Sequence, residues 1–293
     1  MKAVWFKRLL RLSAHLPLWL NHAMGGFGGR RALRGDRTEL RTARTNLTLC
    51  FPKRSESQRQ QLLQQSMVEL GKTFSEAGTL WYGSQQQVEK LVYEVQGEAL
   101  LKAGLERGKG VILAAPHLGN WELIGAYCSQ RYPMTNLYRP PRQAGMDEVL
   151  RHSRERFCSK LAPTNAKGVR VLYQALKNNG LVGILPDQDP GENGGQFAPF
   201  FGVQTNTMTL LSRLAQKSGA TVLCVWAERL SGSRGFVLHF SPVADDIYSD
   251  DMLTSVTALN QAVEAAICQI PAQYQWGYKR FRTRPVGAAP LYG

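Results

Sequence analysis

Residues 108–122 read Gly108-Lys109-Gly110-Val111-Ile112-Leu113-Ala114-Ala115-Pro116-His117-Leu118-Gly119-Asn120-Trp121-Glu122. A short apolar run over residues 111–115 follows a glycine-containing turn, and such runs are typical of buried parallel strands. Pro116 ends the run, and Gly119 lets the backbone turn tightly before a helix that is predicted over residues 119–130. The stretch therefore predicts one strand, a tight turn and one helix.

The remainder of the sequence continues this alternation. Apolar strand candidates occupy residues 111–115, 134–138, 181–185, 221–228 and 236–240. Helical patterns occupy residues 55–82, 119–130, 146–158, 168–178, 207–218 and 251–269. Ser55, with Gln58 three positions later, predicts a capped start for the first of these helices. The alternation predicts an α/β fold with a mainly parallel sheet flanked by helices, and ligands bind such sheets beyond the carboxyl ends of the strands.

Length and composition are those of a globular protein, with 293 residues of which 43% are hydrophobic and 20% charged. We predict two parts, a basic amphipathic membrane-associating segment over residues 1–54 and an α/β domain over residues 55–293. The five cysteines are scattered and form no Cys-x-x-Cys pair. This pattern argues against a disulfide framework and a zinc site. A metal bound by the paired carboxylates Asp187 and Asp189 is the competing idea, but the histidines are too few and too dispersed to complete such a site.

The net charge of +14 is concentrated at the two ends of the chain. Residues 1–54 contain twelve Lys and Arg but only two acidic residues, Asp36 and Glu39. The last fifteen residues contain four basic residues and no acid, whereas residues 55–278 hold equal numbers of each sign. A charge distributed in this way favours contact with a large anionic surface, either a phospholipid layer or a nucleic acid.

The N-terminus favours the phospholipid layer. On a helical wheel one face carries cations, Lys7, Arg8, Arg11 and His15, and the opposite face carries Trp5, Phe6, Leu9, Leu10, Leu12 and Leu16. Such a helix is suited to lying in a membrane interface. Its apolar run is too interrupted for a clear membrane span or signal peptide. An ordinary amphipathic helix packed on its own domain and a short tilted span remain as alternatives.

A histidine directly after a buried strand, with a carboxylate five residues later, indicates acid–base chemistry. The return of the helix can bring Glu122 to one ring nitrogen of His117, which fixes the tautomer and stabilises the imidazolium. The other nitrogen can then take a proton from a substrate hydroxyl. The spacing alone also allows a bland interpretation, in which the two residues form only a helix cap or an ion pair.

Several blocks of the sequence resemble one protein family. The segment Ala115-Pro116-His117-Leu118-Gly119-Asn120-Trp121-Glu122 is similar to the His-x4-Asp/Glu signature of glycerolipid acyltransferases, in the form found in bacterial lipid A late acyltransferases. Matching blocks follow in order: Asn46–Pro52 as Asn-Leu-Thr-Leu-Cys-Phe-Pro, Tyr138-Arg139-Pro140, Leu185-Pro186-Asp187-Gln188-Asp189-Pro190-Gly191, Pro199-Phe200-Phe201-Gly202, Tyr274-Gln275-Trp276, and Lys279–Pro285. Gly277-Tyr278 departs from the pattern, since a histidine or a similar polar residue is expected there.

The resemblance implies an acyltransferase without a cofactor. The donor is an acyl thioester on acyl carrier protein, the acceptor is a hydroxyl of a lipid A precursor, and the location is the cytoplasmic face of the inner membrane, with peripheral or single-span attachment. His117 is the expected general base and Glu122 its orienting carboxylate, with backbone N–H groups after His117 stabilising the oxyanion. The expected substrate-binding residues are Asn120, Trp121, Arg139, Asp187, Gln188 and Asp189.

Within this set, Arg139 is expected to contact a phosphate. Asp187 and Asp189, with Gln188 between them, are expected to bind sugar hydroxyls. Three phenylalanines, Phe197, Phe200 and Phe201, suit an acyl groove or a plain core equally well. Nucleic-acid binding is disfavoured because the body of the chain is neutral and its basic residues are not interleaved with aromatics. A non-catalytic lipid-binding or carrier-docking module remains possible, as does acyl transfer to a lysophospholipid, a glycosylated phosphoinositide or an amino-acid lipid.

Overall fold

A computed structural model describes residue 8 and residues 10–140, 146–155, 157, 159–192 and 194–292. Its centre is a seven-stranded sheet in the order β1-β9-β8-β2-β5-β3-β4. The strands in chain order are β1 Val92–Gln96, β2 Val111–Ala114, β3 Met134–Tyr138, β4 Lys160–Pro163, β5 Leu181–Ile184, β6 Gly195–Phe200, β7 Val203–Met208, β8 Thr221–Arg229 and β9 Phe236–Pro242. Strands β6 and β7 form a separate antiparallel hairpin. All neighbouring pairs in the large sheet are parallel except β8 with β9.

Ten α-helices are defined among the described residues: α1 Leu18–Ala32, α2 Thr38–Cys50, α3 Glu56–Tyr82, α4 Gln85–Glu89, α5 Glu98–Glu106, α6 Trp121–Ser129, α7 Met146–Glu155, α8 Ala166–Lys177, α9 Leu210–Ser218 and α10 Met252–Gln269. Residues 10–13 are also helical. The capping box predicted for α3 is present, because Ser55 and Gln58 exchange hydrogen bonds of 3.2 and 2.8 Å.

Two apolar cores cover the two faces of the sheet. Along β2, Ile112 and Ala114 belong to one cluster and Val111 and Leu113 to the other, as the alternation of side chains in a strand requires. Because strand β2 is buried on both faces, its sequence is apolar throughout. The predicted α/β class with a mainly parallel sheet flanked by helices is therefore confirmed.

The described N-terminal part of the chain packs against the rest of the fold. Residues 1–7 and 9, which carry much of the predicted amphipathic face, lie outside the described residues. Leu40 and Leu47 of α2 are in the same core cluster as Ile112, and α1 packs closely on α3. The predicted boundary after residue 54 thus coincides with no break in the packing. No described helix is both long and apolar enough to cross a membrane.

Candidate active site

His117 lies just beyond the carboxyl end of β2, where the neighbouring strand β5 leads to Asp187. The backbone N–H of His117 donates to Asp187 Oδ2 at 2.9 Å, and Nδ1 is 2.8 Å from Asp187 Oδ1. The Asp187 side chain is 1% exposed and that of His117 is 12% exposed. One carboxylate therefore fixes both the main chain and the ring of the histidine. Since the carboxylate accepts, Nδ1 carries the proton and Nε2 is the basic nitrogen.

Glu122 does not make the hydrogen bond predicted with His117. Its two oxygens receive hydrogen bonds from Arg154, from Nε to Oε2 at 3.1 Å and from Nη2 to Oε1 at 2.5 Å. Arg154 comes from α7, and its guanidinium fork matches a carboxylate in this bidentate way. Because Nδ1 of the histidine is already bonded to Asp187, the orienting carboxylate is Asp187 and the prediction for Glu122 is corrected.

Gln188 lies on the other side of the imidazole. Its Nε2 is 3.1 Å from His117 Nε2, and with the proton on Nδ1 the amide is the donor in this contact. The Trp121 ring lies next to the same imidazole, with 4.9 Å between ring centroids and an interplanar angle of 57°. A substrate would therefore approach the basic nitrogen of His117 from the side on which Gln188 and Trp121 lie.

The carboxylates of the site are held in their charged forms. Burial would raise the pKa of the Asp187 carboxyl, but His117 and its hydrogen bonds hold that pKa below its usual value, with a further contribution from Arg280. Burial would likewise raise the pKa of Glu122, and the charge and hydrogen bonds of Arg154 outweigh it, so this pKa is also lowered. Both groups are therefore anions at neutral pH, and Asp187 can stabilise a protonated imidazole.

Asp189 has a different task from its neighbours. Its Oδ1 accepts from the Gly191 N–H at 2.8 Å, and its Oδ2 accepts from the Thr283 N–H at 2.8 Å. The side chain is buried, and the N–H of Asp189 itself donates to the Tyr278 hydroxyl at 3.1 Å. These bonds join the loop after β5 to the C-terminal segment. Both oxygens of Asp189 are used within the protein, which differs from the contact with sugar hydroxyls expected from the sequence.

Asn120 is buried and bonded to an ionic cluster beneath the catalytic loop. Its Nδ2 donates to Glu76 Oε2 at 2.7 Å, and Glu76 also accepts from Arg229 Nε and Nη2 at 2.5 and 2.6 Å. His22 of α1 lies 2.6 Å from the other oxygen of Glu76. Burial would raise the pKa of Glu76, but Arg229 and His22 lower it below its usual value. The Asn120 side chain therefore holds the loop that carries His117 against this cluster.

Comparisons with known proteins identify the family of this chain. Residues 4–283 match the model of the bacterial lipid A biosynthesis acyltransferases. The chain belongs to that family. It is 35% identical to the lipid A biosynthesis palmitoleoyltransferase of Escherichia coli (strain K12) over 254 residues, covering 85% of this chain and 81% of the relative. It is 28% identical to the lipid A biosynthesis lauroyltransferase of the same organism, over 97% of this chain and 92% of the relative. It is 26% identical to the myristoyltransferase of that organism, over 90% of this chain and 81% of the relative.

The blocks that indicated the family meet around the histidine of this acyltransferase. The N–H of Gln275 donates to the carbonyl of His117 at 3.0 Å, and the N–H of Gly119 donates to the carbonyl of Gln273 at 3.0 Å. Asn46 Nδ2 donates to the carbonyls of Trp276 and Tyr278 at 2.7 and 2.8 Å. The C-terminal block therefore holds the loop that carries His117, and the N-terminal block holds the C-terminal block.

Two further expectations have a different outcome. The N–H groups of Gly119 and Asn120 donate to protein carbonyls, so these two expected oxyanion donors are already used. Phe200 is buried in the core, where its ring contacts Phe201, which identifies this pair as core packing. Arg139 follows the carboxyl end of β3, on the same side of the sheet as His117 after β2, and its side chain is exposed.

No pattern in the sequence indicates Arg154 or the Glu76–Arg229 cluster. Arg154 is one of several basic residues in a polar helix, and it contacts Glu122 across 32 positions of the chain. Glu76 and Arg229 are 153 positions apart. Asp187 and Gln188 were expected in the site, but their bonds to the imidazole depend on the pairing of β2 with β5, which no local pattern specifies.

Proposed function

We propose that this chain transfers an acyl group from an acyl carrier protein thioester to a hydroxyl of a lipid A precursor, with His117 as general base. The observation that carries the proposal is the His117–Asp187 pair at the carboxyl end of β2 in a member of the lipid A acyltransferase family. Asp187 keeps the proton on Nδ1, so Nε2 faces the substrate as a base.

The proposed reaction is one direct transfer. Nε2 of His117 takes the proton of the acceptor hydroxyl while the hydroxyl oxygen attacks the thioester carbonyl carbon. The carbon–sulfur bond then breaks, and the thiolate leaves with the proton that His117 gives back. Asp187 stabilises the imidazolium between the two steps. Since the one lone pair of Nε2 accepts from the Gln188 amide, we propose that the acceptor hydroxyl displaces this amide when it binds.

The relatives' names support the proposed acyl group and the proposed type of acceptor. These name palmitoleoyl, lauroyl and myristoyl transfer in lipid A biosynthesis, so the acyl group differs among relatives while the type of acceptor is shared. We propose the same type of acceptor here, with Arg139 contacting a phosphate of the precursor. Its support is the exposed guanidinium at the sheet edge where His117 lies.

We further propose that the protein works at the cytoplasmic face of the inner membrane, bound to an anionic lipid surface. The support is a set of exposed apolar side chains near the N-terminus of the described chain, Leu12, Trp19, Met24 and Phe27, with Phe74 on α3. Helix α1 also ends in Arg30 and Arg31. Aromatic and basic residues together suit the headgroup region of such a membrane.

The test is the mass gain of a purified lipid A precursor incubated with the protein and acyl carrier protein thioesters. The expected result is the mass of one acyl group on the acceptor, and none with His117→Ala. A lysophospholipid offered under the same conditions serves as the competing acceptor. Acylation of the lysophospholipid without acylation of the precursor would refute the proposed acceptor, and no acyl transfer to any lipid would refute the proposed reaction.

A further inference from the structure

An apolar pocket opens beside the catalytic histidine, between α6, α7 and strands β2, β3 and β5. Its apolar wall residues include Leu113, Ile124, Met134, Leu137, Phe157 and Leu185. The pocket holds about 650 Å³ of space between atoms, counting the part open to solvent. Trp121 lines the pocket and also contacts the His117 ring, so the pocket begins next to the proposed base.

The charged residues that line the pocket are paired with each other. Among the described residues that line it, the charged ones are Glu122 and Arg154, and these neutralise each other through two hydrogen bonds. No unpaired charge therefore faces the apolar interior from the described residues. An uncharged hydrocarbon chain suits such a wall, whereas a charged ligand would lose its hydration without meeting an unpaired opposite charge among the described residues.

Gly125 gives the pocket part of its open space. It lies on α6 four residues after Trp121, on the same face of the helix and about 6 Å further along the axis. A Cβ atom added there would meet only Asn136 Nδ2, at 4.0 Å. Close packing therefore does not explain the glycine. Glycine also weakens a helix interior relative to alanine, so the helix itself does not favour it.

The second glycine of the pocket, Gly183 on β5, shows the contrast. A Cβ atom there would lie 2.2 Å from Asn136 Oδ1 and 2.8 Å from Met134 Cε. Those distances are far below van der Waals contact, so Gly183 is required by its neighbours. Gly125 and Gly183 thus line one pocket for different reasons, because an added Cβ atom at Gly125 makes only an ordinary contact with Asn136.

We propose that the pocket receives the acyl chain of the donor and that Gly125 determines how long a chain fits. This inference rests on the proposed acyl transfer and adds a specificity-determining residue to it. The thioester carbonyl lies at His117, the first methylenes pass Trp121, and the remainder of the chain runs along α6 past Gly125. A larger side chain at Gly125 shortens the available path without touching His117, Asp187 or the acceptor.

The experiment compares kcat/KM for saturated acyl carrier protein thioesters from octanoyl to palmitoyl, with Gly125→Ala, Gly125→Val and Gly125→Leu. We expect the preferred length to become shorter in that order. The loss is about fourfold for each methylene that no longer fits, and octanoyl transfer stays within about twofold of the unsubstituted protein. Ala103→Leu, on the exposed face of α5, is the matched control and should leave the profile unchanged.

An equal loss at every chain length, or an unchanged length profile in Gly125→Leu, would overturn the role of Gly125. If Gly125→Leu does not fold, as circular dichroism would reveal, Gly125→Ala carries the test, because its added atom has open space. Absence of transfer from every thioester by the unsubstituted protein would instead refute the proposed reaction. Failure of the role of Gly125 is therefore seen in the Gly125 variants, whereas failure of the proposed reaction is seen in the unsubstituted protein.

Discussion

Three carboxylates at or near the site have three separate partners. Asp187 holds the imidazole of His117, Glu122 holds the guanidinium of Arg154, and Asp189 holds backbone N–H groups of the loop and the C-terminal segment. Each is kept ionised by its partner against the effect of burial. A carboxylate near a histidine is therefore not sufficient to assign its role. The hydrogen bond that it makes decides between orienting the base and supporting a helix.

Arg139 carries a prediction of its own. Its guanidinium can bind a phosphate bidentately, which a lysine cannot do, so we expect Arg139→Lys to lower kcat/KM about tenfold or more on a diphosphorylated acceptor. The same acceptor without one phosphate should lose far less. Steady-state kinetics with the two acceptors measures this difference. The control is Arg170→Lys on the exposed side of α8, and an equal loss on both acceptors would remove the phosphate role of Arg139.

At the residue scale the sequence predicted the members of the site better than their bonds. His117, Asp187 and Gln188 were all expected there, and they meet around one imidazole. The partner of His117 was assigned to Glu122, because spacing along the chain favours a residue on the next helix. The actual partner comes from a strand that is adjacent in the sheet but 70 positions away in the chain. Local spacing contains no information about that adjacency.

Among the elements, the crossing of α1 and α3 shows what glycine contributes to packing. A Cβ atom at Gly25 would lie 2.5 Å from the carbonyl oxygen of Gly71, and one at Gly29 would lie 2.1 Å from that of Met67. The two helices can approach this closely only because these side chains are absent. The approach brings His22 of α1 to Glu76 of α3, and so connects the N-terminal helix to the cluster that holds Asn120.

Breaking the Glu76–Arg229 pair should weaken the fold. Glu76→Gln removes one partner of a buried ion pair, and we expect a loss of about 3 kcal/mol in the free energy of unfolding at neutral pH. The lowered pKa of Glu76 means that the unfolded chain binds this proton at a higher pH than the folded chain. The contribution of Glu76 is therefore present above its usual value of 4.5 and is lost as the pH falls through the folded value.

Urea unfolding of both proteins from neutral pH to acid measures this effect. Stability should fall below about pH 4.5 in the unsubstituted protein and fall less steeply in Glu76→Gln, because the substitution removes one of the protons taken up on unfolding. Asp187, Asp189 and Glu122 also have lowered pKa values, so part of the decline should remain. The same steepness in both proteins would contradict the assignment to Glu76.

The predicted elements were found where the hydrophobic pattern is strong. Strand β3 has the bounds expected for it, and β2, β5 and α3 differ by a residue at one end. Strands β1 and β4 and the β6–β7 hairpin were not predicted. Strand β4 has Lys160 and Pro163 at its ends and β1 is largely exposed, so neither shows the apolar run of a central strand. The hairpin contains Pro199 and polar residues, which resemble a loop.

At the scale of the whole molecule, the basic residues near the two ends of the chain lie in two different environments. Near the N-terminus, Arg30 and Arg31 are exposed at the end of α1. Near the C-terminus, Arg280 is only 3% exposed and donates to the carbonyl of Asn206 and the hydroxyl of Thr207. The N-terminal excess can meet an anionic surface, whereas part of the C-terminal excess is used inside the protein.

The proposed membrane surface leads to a prediction for Trp19 and Phe27, which lie on one face of α1 and are each 63% exposed. Replacing both with serine should weaken binding to anionic phospholipid vesicles about tenfold or more, because each aromatic ring loses its apolar transfer energy. Sedimentation with vesicles at low and high salt measures the binding. Val171→Ser, an exposed apolar residue of α8, is the control, and equal binding by all three proteins would exclude this face.

The most direct measurement is the single-turnover rate of acyl transfer by Asp187→Asn, compared with His117→Ala and the unsubstituted protein. The asparagine keeps the shape of the side chain but cannot stabilise the imidazolium or secure the proton on Nδ1. We predict a loss of about 10²–10⁴ in rate for both variants, with the circular dichroism spectrum unchanged. A near-normal rate for Asp187→Asn beside an inactive His117→Ala would contradict the assignment of Asp187, and a near-normal rate for His117→Ala would contradict the general-base mechanism itself.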